Sequence, residues 1–222
     1  MTRLLVLRPE PGATATLERA RELGFDAVSV PLFTIEPLEW TCPQAADFDA
    51  LLLTSANAVR HAGPRLQTLR SLPAYAVGEA TAAAARDSGL SVIGCGSEGV
   101  DRLLGTIHPQ LKLLHLCGRD RQSPTSERRS ITPLEVYRAV ENDVELRGLA
   151  QSVVLVHSPR AGARLNLLID PVQRHTVAIG AISAAALTSC GGGWAKAQAA
   201  EVPTDEALLA LAARLCNKTA TQ

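Results

Sequence analysis

Aromatic residues and any surplus of charge are scarce in this sequence of 222 residues. Phe, Trp and Tyr together make up 3% of the chain, and 22 basic residues balance 22 acidic ones. Because proteins bind nucleic acid through a surplus of positive charge, this balance argues against nucleic acid as the main partner. It still permits a local basic pocket for a small anion. Hydrophobic residues make up 46% of the chain, which is enough to bury a sizeable core.

Cysteine pairs and membrane-length apolar runs are missing as well. None of the five cysteines forms a CxxC pair, which excludes a zinc ribbon and is typical of reduced thiols in a cytosolic protein. The histidines lack the spacing of metal ligands, so we expect no metal site. No apolar run approaches the ~18 residues of a membrane helix, and the apolar start before Arg8 is too short for a signal peptide. We therefore expect a soluble, cytoplasmic protein without a membrane segment.

The sequence contains neither a P-loop, GxxxxGK[ST], nor the GxSxG of a nucleophile elbow. It does contain an internal duplication. LLLTSANAVRHAG from Leu51 resembles VVLVHSPRAGARL from Val153, and YAVGEATAAAARDSGL from Tyr75 resembles VAIGAISAAALTSCGG from Val177. Each segment has a short apolar run, a small polar corner and a helix-compatible stretch. Three further pairs bring the total to five, all in the same order at nearly one offset, which indicates two related halves.

The repeated rhythm predicts an α/β fold with two doubly wound parallel-sheet domains. Short apolar strands without alternation are typical of a parallel sheet covered on both faces, and amphipathic stretches lie between them. Two proline-opened segments, Pro31–Pro37 and Pro133–Ala139, break the alternation and have no room for a helix. We expect these segments to be the two connections between the domains. Two crossings require one of the domains to be discontinuous in sequence.

Polar corners follow the predicted strands. In open α/β sheets ligands bind at the carboxyl ends of the strands, and free N–H groups beside a hydroxyl at a helix start can hold a carboxylate. Serine and threonine at such corners are also good helix caps, so capping and ligand contact both stay open at each corner. The corners are Arg8–Glu10, Thr54–Asn57, Gly78–Thr81, Cys117–Arg121, His157–Arg160 and Gly180–Ser183.

Tyr137, one of the two tyrosines of the chain, lies in the second connecting segment. A phenol can donate a proton or a hydrogen bond without carrying charge. Its environment in the sequence supports two interpretations equally: a group that looks into a cleft between the domains, or a tyrosine that packs the hinge.

Ordered motifs along nearly the whole chain resemble the uroporphyrinogen-III synthase family. Each motif is degenerate, but the ordered set is fairly specific. The motifs are VLRPE, FDALLLTSANAV (Phe48–Val59), AVGEATAAAARDSGL (Ala76–Leu90), EVYRAV (Glu135–Val140), HSPRAG (His157–Gly162), AIGAISAAAL (Ala178–Leu187) and VPTDEALLAL (Val202–Leu211).

The resemblance implies two flavodoxin-like domains joined by a two-segment extended linker. Residues 1–30 and 143–218 would form a discontinuous domain and residues 38–131 an inserted one, with linkers at 31–37 and 132–142. The resemblance further implies a cofactor-free, cytoplasmic, monomeric lyase of porphyrin and heme biosynthesis. Such an enzyme would receive hydroxymethylbilane, a linear tetrapyrrole, from the preceding enzyme of the pathway.

The implied reaction closes hydroxymethylbilane to uroporphyrinogen III with loss of water and inversion of ring D, through an azafulvene and a spiro intermediate. Every ring of the substrate carries acetate and propionate groups, so the enzyme must hold a flexible polyanion. It must also exclude the uninverted closure, which happens without help. An interdomain cleft with preorganised hydrogen bonds suits this task better than a nucleophile does.

The resemblance also implies site residues. Tyr137 would assist loss of the hydroxyl as a proton donor, Thr81 matches a hydroxyl of the first glycine corner, and Ser55 and Ser158 match paired strand-end serines. We expect N–H groups near Ser55–Asn57 to hold a substrate carboxylate and do not expect Ser55 to be a nucleophile. The expected substrate-binding residues are Arg8, Ser55, Ala56, Asn57, Gly78, Thr81, Arg119, Ser158, Pro159, Gly180 and Ser183.

The chain departs from the family pattern in three places. Ala181 and Ile182 replace a proline and a threonine that the family often has, so only Ser183 retains a hydroxyl at the second glycine corner. His157 stands where the family commonly has threonine or serine, and the segment between Arg121 and Ile131 is shorter than usual. We expect backbone contacts to matter more than side chains at the second glycine corner.

Two rival hypotheses accompany the synthase. A two-lobed, non-catalytic module that binds a small anion or a tetrapyrrole predicts the same corners. A degenerate synthase would have lost activity through the altered corner. The isomer of the product distinguishes an active synthase from both, and Tyr137→Phe distinguishes catalysis by the phenol from packing.

Overall fold

The computed structural model describes residues 3–96, 99–120, 130–146 and 148–217 of the chain. The strands in these residues are β1 (Arg3–Val6), β2 (Asp26–Ser29), β3 (Phe33–Pro37), β4 (Ala50–Leu53), β5 (Ala74–Val77), β6 (Val92–Gly96), β7 (Leu113–Gly118), β8 (Ile131–Glu141), β9 (Val153–Val156), β10 (Ala178–Ala181) and β11 (Lys196–Ala199). The α-helices are α1 (Gly12–Glu22), α2 (Ala56–His61), α3 (Glu79–Asp87), α4 (Val100–Thr106), α5 (Pro159–Leu168), α6 (Pro171–Arg174), α7 (Ala184–Ser189) and α8 (Asp205–Asn217). Short 3₁₀ helices span Ala45–Asp47 and Pro64–Leu69.

The chain divides into two compact units. Unit 1 comprises Met1–Thr34 and Glu141–Gln222, and unit 2 comprises Ile35–Val140. Both boundaries fall inside strands, β3 and β8, which occupy the two proline-opened segments of the sequence. Unit 1 is therefore discontinuous in sequence, and unit 2 is one continuous stretch.

Unit 1 contains a five-stranded sheet in the order β11-β10-β9-β1-β2, in which neighbouring strands run parallel. Leu4, Val6 and Leu155 pack on one face of this sheet against α1 and α8, and their sequence neighbours Leu5 and Val154 are buried as well, which explains why its strands are apolar without alternation. The predicted α/β class with parallel sheets is confirmed. The direction of strand succession reverses between β1 and β9, and such a reversal is where doubly wound sheets bind ligands.

Unit 2 contains a six-stranded sheet in the order β3-β8-β7-β4-β5-β6. The strands from β8 to β6 run parallel to their neighbours, and the succession reverses between β4 and β7. Leu51 and Leu53 point to one core cluster and Leu52 to another, so both faces of β4 are covered. The apolar run that opens LLLTSANAV is thus the central strand of this unit.

The two proline-opened segments form neighbouring strands at the edge of the six-stranded sheet. The N–H of Leu38 donates to the carbonyl of Val136 at 2.9 Å, and the N–H of Asn142 donates to the carbonyl of Leu32 at 3.0 Å. The first segment meets the second in reverse order, so β3 and β8 run antiparallel. The exact domain and linker bounds that the family resemblance implies remain predictions.

The edge strand β11 was not predicted from the sequence. Ala178 pairs with Lys196, and Ala181 pairs with Ala199. The residues of β11 are half-buried or exposed, so they lack the apolar run that marked the central strands. Among the described residues, no helix combines the length and apolar character needed to cross a membrane.

Candidate active site

Arg8 and His157 follow adjacent strands of unit 1, at the point where the strand succession reverses. Arg8 comes after β1, and His157 comes directly after β9. Parallel strands end at the same edge of a sheet, so this is the edge where the fold places ligands. The two corners predicted from sequence at these positions are thereby brought together within unit 1.

Asp205 connects the two corners. Its Oδ1 accepts a hydrogen bond from Thr16 Oγ1 at 2.9 Å and lies 3.0 Å from His157 Nε2, and its Oδ2 accepts from Arg19 Nη1 at 2.9 Å. Arg8 Nη1 lies 3.5 Å from the same Oδ1. Because an ionised carboxylate only accepts, Nε2 of His157 carries the proton that faces it. The result is a network of four side chains around one buried carboxylate.

The charges of this network follow from burial and hydrogen bonding. Burial favours the neutral form of Asp205, but hydrogen bonds from His157, Thr16 and Arg19 outweigh it and bring the pKa of the carboxyl well below its usual range. Burial lowers the pKa of His157, and the hydrogen bond to Asp205 offsets only part of that effect. Asp205 is therefore a carboxylate beside a neutral imidazole near neutral pH.

Ser158 caps the helix that follows β9. Its side chain accepts a hydrogen bond from the N–H of Ala161 at 3.1 Å, and Pro159 occupies the first helical position, where no N–H is needed. Capping of the helix by Ser158 is therefore confirmed at this corner. Contact of Ser158 and Pro159 with a substrate stays a prediction.

The second glycine corner differs from the sequence expectation in its geometry. Gly180 lies inside β10, where a Cβ would touch the side chains of Leu155 and Leu208 at 3.4 and 3.5 Å. The chain leaves the strand only after Ala181, and Ser183 caps α7 by accepting from the N–H of Ala186 at 3.3 Å. Gly180 and Ala181, the first two residues of the predicted corner, are thus the last two residues of β10, and the corner continues with Ile182 and Ser183.

The first serine corner of unit 2 is also a helix cap. Ser55 follows β4, and its side chain accepts a hydrogen bond from the N–H of Asn57 at 3.2 Å at the start of α2. Thr54, one residue earlier, lies with its Oγ1 2.9 Å from Nε2 of His115 on β7. His115 is buried, and its spacing in the sequence does not connect it with this corner. The contact joins the end of β4 to the middle of β7, the two strands between which the succession reverses.

The first glycine corner has the backbone that its sequence suggests. Gly78 has a φ of 82°, a conformation that favours glycine, and a Cβ there would meet nothing within 4 Å. Thr81, in the first turn of α3, is buried with 5% of its surface exposed, and its N–H donates to the carbonyl of Gly78 at 3.0 Å. Gly78 thus leaves open space beside the helix start, and Thr81 lies inside the unit.

Tyr137 lies against Gly118 on the neighbouring strand. A Cβ at Gly118 would come within 2.7 Å of Cζ and 3.0 Å of the hydroxyl oxygen of Tyr137, so only glycine leaves room for the ring. The ladder slips here, since Cys117 pairs with Glu135 and Gly118 pairs with Tyr137. Such a bulge re-aims a side chain and is common beside active sites.

Two further groups of unit 2 accompany Tyr137. The ring of His61 lies 6.3 Å from the tyrosine ring, centroid to centroid, and burial followed by the charge of Arg60 lowers the pKa of His61. The N–H of Arg119 donates to the carbonyl of Tyr137 at 2.9 Å, and Nε of Arg119 lies 3.3 Å from Oε2 of Glu135. Arg119 is half-exposed, so its guanidinium remains at the surface near the phenol's strand.

A GxGxxG spacing at Gly94, Gly96 and Gly99 was overlooked in the sequence analysis. A Cβ at Gly94 would clash with the ring of Tyr75, and one at Gly96 would press on Leu103 at 3.0 Å. Packing therefore explains why these two positions are glycine. Both lie on the edge strand β6 rather than at the reversal of the strand succession. The pattern gives no support to a dinucleotide site.

Some expectations fall outside the residues that the structure describes. Arg121, the last residue of the corner after β7, is one of them, and most of the segment between Arg121 and Ile131 is another. Among the described residues, no group of three or more His, Cys, Asp or Glu side chains is arranged to hold a metal ion.

Sequence reasoning missed Asp205, Thr16 and Arg19, which complete the network in unit 1. Asp205 stands inside the motif VPTDEALLAL, so its family resemblance was visible, but no local signal pairs it with residues near the other end of the chain. Gly118 was noted only as part of a corner, because a clash with a residue on another strand leaves no mark in sequence.

Comparison with family models identifies one family, and comparison with solved structures finds a similar fold. The family model described as uroporphyrinogen-III synthase HemD matches residues 14–210, which is most of the chain. Among curated proteins, none matches significantly. The crystal structure of uroporphyrinogen-III synthetase from Helicobacter pylori is similar with a TM-score of 0.66 and 19% identity, covering 97% of this chain and 100% of that one. A mutant uroporphyrinogen III synthase from Thermus thermophilus is similar with a TM-score of 0.60 and 17% identity, covering 98% and 100%.

Proposed function

The chain belongs to the uroporphyrinogen-III synthase family and is a cyclising lyase, and we propose how its residues carry out the reaction. The proposed substrate is the linear tetrapyrrole hydroxymethylbilane. Loss of its hydroxyl gives an azafulvene, attack on this group gives a spiro intermediate, and rearrangement closes the macrocycle with ring D inverted. The net reaction releases one water molecule, and no covalent bond to the protein forms.

Tyr137 is the proposed proton donor to the departing hydroxyl. Departure as water needs a proton at the oxygen, and a phenol can supply one or a strong hydrogen bond. The support for this role is the packing of the ring on Gly118, beside a bulge and next to the reversal between β4 and β7. A ring held by backbone on one side is oriented before the substrate arrives, which is what proximity catalysis requires.

The substrate carboxylates are proposed to bind at the strand-end corners of each unit. In unit 1 the donors are the guanidinium of Arg8 and the backbone of the corner at Ser158–Pro159. In unit 2 they are Arg119, the N–H groups near Ser55–Asn57 and the open backbone at Gly78. Arginine suits this task because its planar fork of donors matches a carboxylate.

Three other assigned residues have less support for direct contact. Thr81 and Gly180 are buried within their units, so their proposed roles are to shape the corners at Gly78 and Ser183. Ser183 contributes the only hydroxyl of its corner, and Ile182 leaves the backbone as the main source of donors there. These assignments rest on the family resemblance together with the positions of the corners.

The family match over residues 14–210 is the observation that carries this proposal. The decisive experiment supplies freshly made hydroxymethylbilane to the protein and identifies the isomer of the product. Formation of uroporphyrinogen III faster than spontaneous closure is the expected result. If the uninverted isomer alone appears, at the rate seen without protein, the proposal is wrong and a binding module or a degenerate synthase replaces it.

Three finer statements stay predictions from the sequence. The protein is proposed to work in the cytoplasm, as a monomer, and to take its substrate from the preceding enzyme of porphyrin and heme biosynthesis. Sedimentation of the purified protein tests the monomer, and coupled assays with the preceding enzyme test the transfer.

A further inference from the structure

The guanidinium of Arg8 lies against Thr16, Asp205 and Gly12 in unit 1. Nη1 donates to Thr16 Oγ1 at 3.3 Å and lies 3.5 Å from Asp205 Oδ1. The other side of the group lies against the backbone at Gly12, where an added Cβ would clash with Nε. The side chain keeps 33% of its surface exposed, so it is held without being buried.

Asp205 forms ion pairs with two guanidinium groups. Its side chain is 9% exposed and is approached by the guanidinium groups of both Arg8 and Arg19. Two positive charges therefore surround one negative charge, while burial lowers the pKa of His157 and keeps that partner neutral. The network presents a net positive charge at the carboxyl end of β1, next to the reversal between β1 and β9.

We propose that Asp205 is a positioning residue that holds Arg8 ready to bind a carboxylate of the tetrapyrrole, and that Gly12 is glycine to leave space for the guanidinium. This inference rests on the proposed function and adds to it a residue that does not touch the substrate. An unrestrained arginine loses side-chain entropy when it binds a ligand. The ion pair with Asp205 and the hydrogen bond to Thr16 restrict Arg8 before the substrate arrives, so less affinity is lost on binding.

Gly12→Ala is the first test, because it acts on Arg8 without removing any polar group. The new methyl group takes the place of the guanidinium, which stands at the end of a flexible side chain and can move away. Alanine is also the better helix former, so the fold is retained. The KM for hydroxymethylbilane should rise about tenfold, as expected for one charge-assisted hydrogen bond, with kcat within about twofold. Gly105→Ala, in α4 where a Cβ meets nothing within 4 Å, is the matched control and should leave both constants unchanged.

Asp205→Asn is the second test, since it keeps the shape of the side chain and removes its charge. KM should again rise by about tenfold. In an Arg8→Ala background the same substitution should raise KM no further, because Asp205 acts through Arg8. Asp26→Asn, which neutralises the exposed ion pair with Arg3 in the same sheet, is the control.

The outcomes separate the inference from the proposed function. If the wild type forms uroporphyrinogen III but Gly12→Ala leaves KM unchanged, the positioning of Arg8 is wrong while the synthase activity stands. If Asp205→Asn raises KM equally with and without Arg8, Asp205 does not act through Arg8 and the inference is overturned. A wild type that yields only the uninverted isomer overturns both.

Discussion

Both tyrosines of the chain lie against a glycine on the neighbouring strand. Tyr137 packs on Gly118, and Tyr75 packs on Gly94, with Cβ clashes of 2.7 Å in each case if the glycine were replaced. Neither glycine has the left-handed backbone that favours glycine, so space for the ring is the physical reason for both. The pairs differ in place, since Gly118 lies next to the reversal of the strand succession and Gly94 lies on the edge strand.

Tyr137→Phe should lower kcat by about 100-fold, as expected when a general acid is removed, and should change the affinity for the product little. The ring and its packing on Gly118 are retained, so stability should stay close to that of the wild type. The measurement is steady-state cyclisation of hydroxymethylbilane with isomer analysis. Tyr75→Phe is the matched control and should keep kcat within about twofold. An unchanged rate in Tyr137→Phe would show that Tyr137 has a packing role and is not the proton donor.

Gly118→Ala tests the orientation of the same ring. The added methyl group must displace the tyrosine ring from its position, because Cζ would lie 2.7 Å away. We expect kcat to fall with little further loss when the variant is combined with Tyr137→Phe, since both act on one group. Additive losses in the double variant would show that Gly118 matters for another reason.

The histidine of the unit 1 network makes stability depend on pH. His157 is buried, and its pKa lies below the usual value, so the unfolded chain binds a proton at pH values where the folded chain does not. The unfolding free energy should therefore fall as pH decreases through the ordinary range of histidine, about 6.5, and level off below the folded pKa. Asp205 adds a second loss at more acidic pH, since its folded pKa is also low.

His157→Gln should flatten the loss of stability as pH decreases below about 6.5, because glutamine can still donate to Asp205 but does not titrate. Urea unfolding at several pH values measures this slope. His175→Gln, at an exposed histidine, is the control and should keep the slope of the wild type. An identical slope in His157→Gln would assign the pH dependence to other groups.

At the scale of elements, serine corners recur as helix caps. Ser55, Ser158 and Ser183 each accept a hydrogen bond from an N–H in the first turn of the helix that follows. The capping role and the proposed carboxylate contact use different groups, because the remaining N–H groups of the turn stay available to a ligand. A corner can therefore serve both roles, and the two can be separated by substitution.

Ser158→Ala and Ser158→Asp should affect stability and binding in opposite ways. Alanine removes the cap and should lower the unfolding free energy by about 1 kcal/mol with a small change in KM. Aspartate keeps the cap but adds a negative charge, so stability should hold while KM rises severalfold through repulsion of the substrate carboxylates. Denaturation curves and steady-state kinetics provide both readouts. If KM is the same in both variants, Ser158 is a cap alone.

At the scale of the molecule, each unit has its own sheet and its own apolar clusters. Unit 2 is continuous, whereas unit 1 needs both ends of the chain, since β1 lies between β2 and β9. A continuous unit with a complete core can fold by itself.

Residues 35–140 expressed alone should fold and unfold cooperatively in urea, and residues 1–34 alone should not fold. Far-UV circular dichroism during denaturation checks both chains. A gradual, non-cooperative loss of signal from residues 35–140 would show that the unit depends on the rest of the chain.

Strand and helix patterns were predictable where apolar burial is local. LLLTSANAV became β4, a capped helix start and α2, because a strand covered on both faces has to be apolar at every position. The edge strand β11 was not predicted, since its half-buried or exposed residues leave no apolar run and its pairing depends on neighbours distant in sequence.

The sequence by itself determined the family, the α/β class, the duplicated corners and the candidacy of Tyr137, because these leave periodic or motif-like traces along the chain. Only the tertiary structure decided which residues meet. Asp205 reaches Thr16 across 189 positions, and Gly118 matters only because a bulge places Tyr137 against it. Such contacts depend on the strand order and register of the folded sheets, and single residues carry no local mark of them.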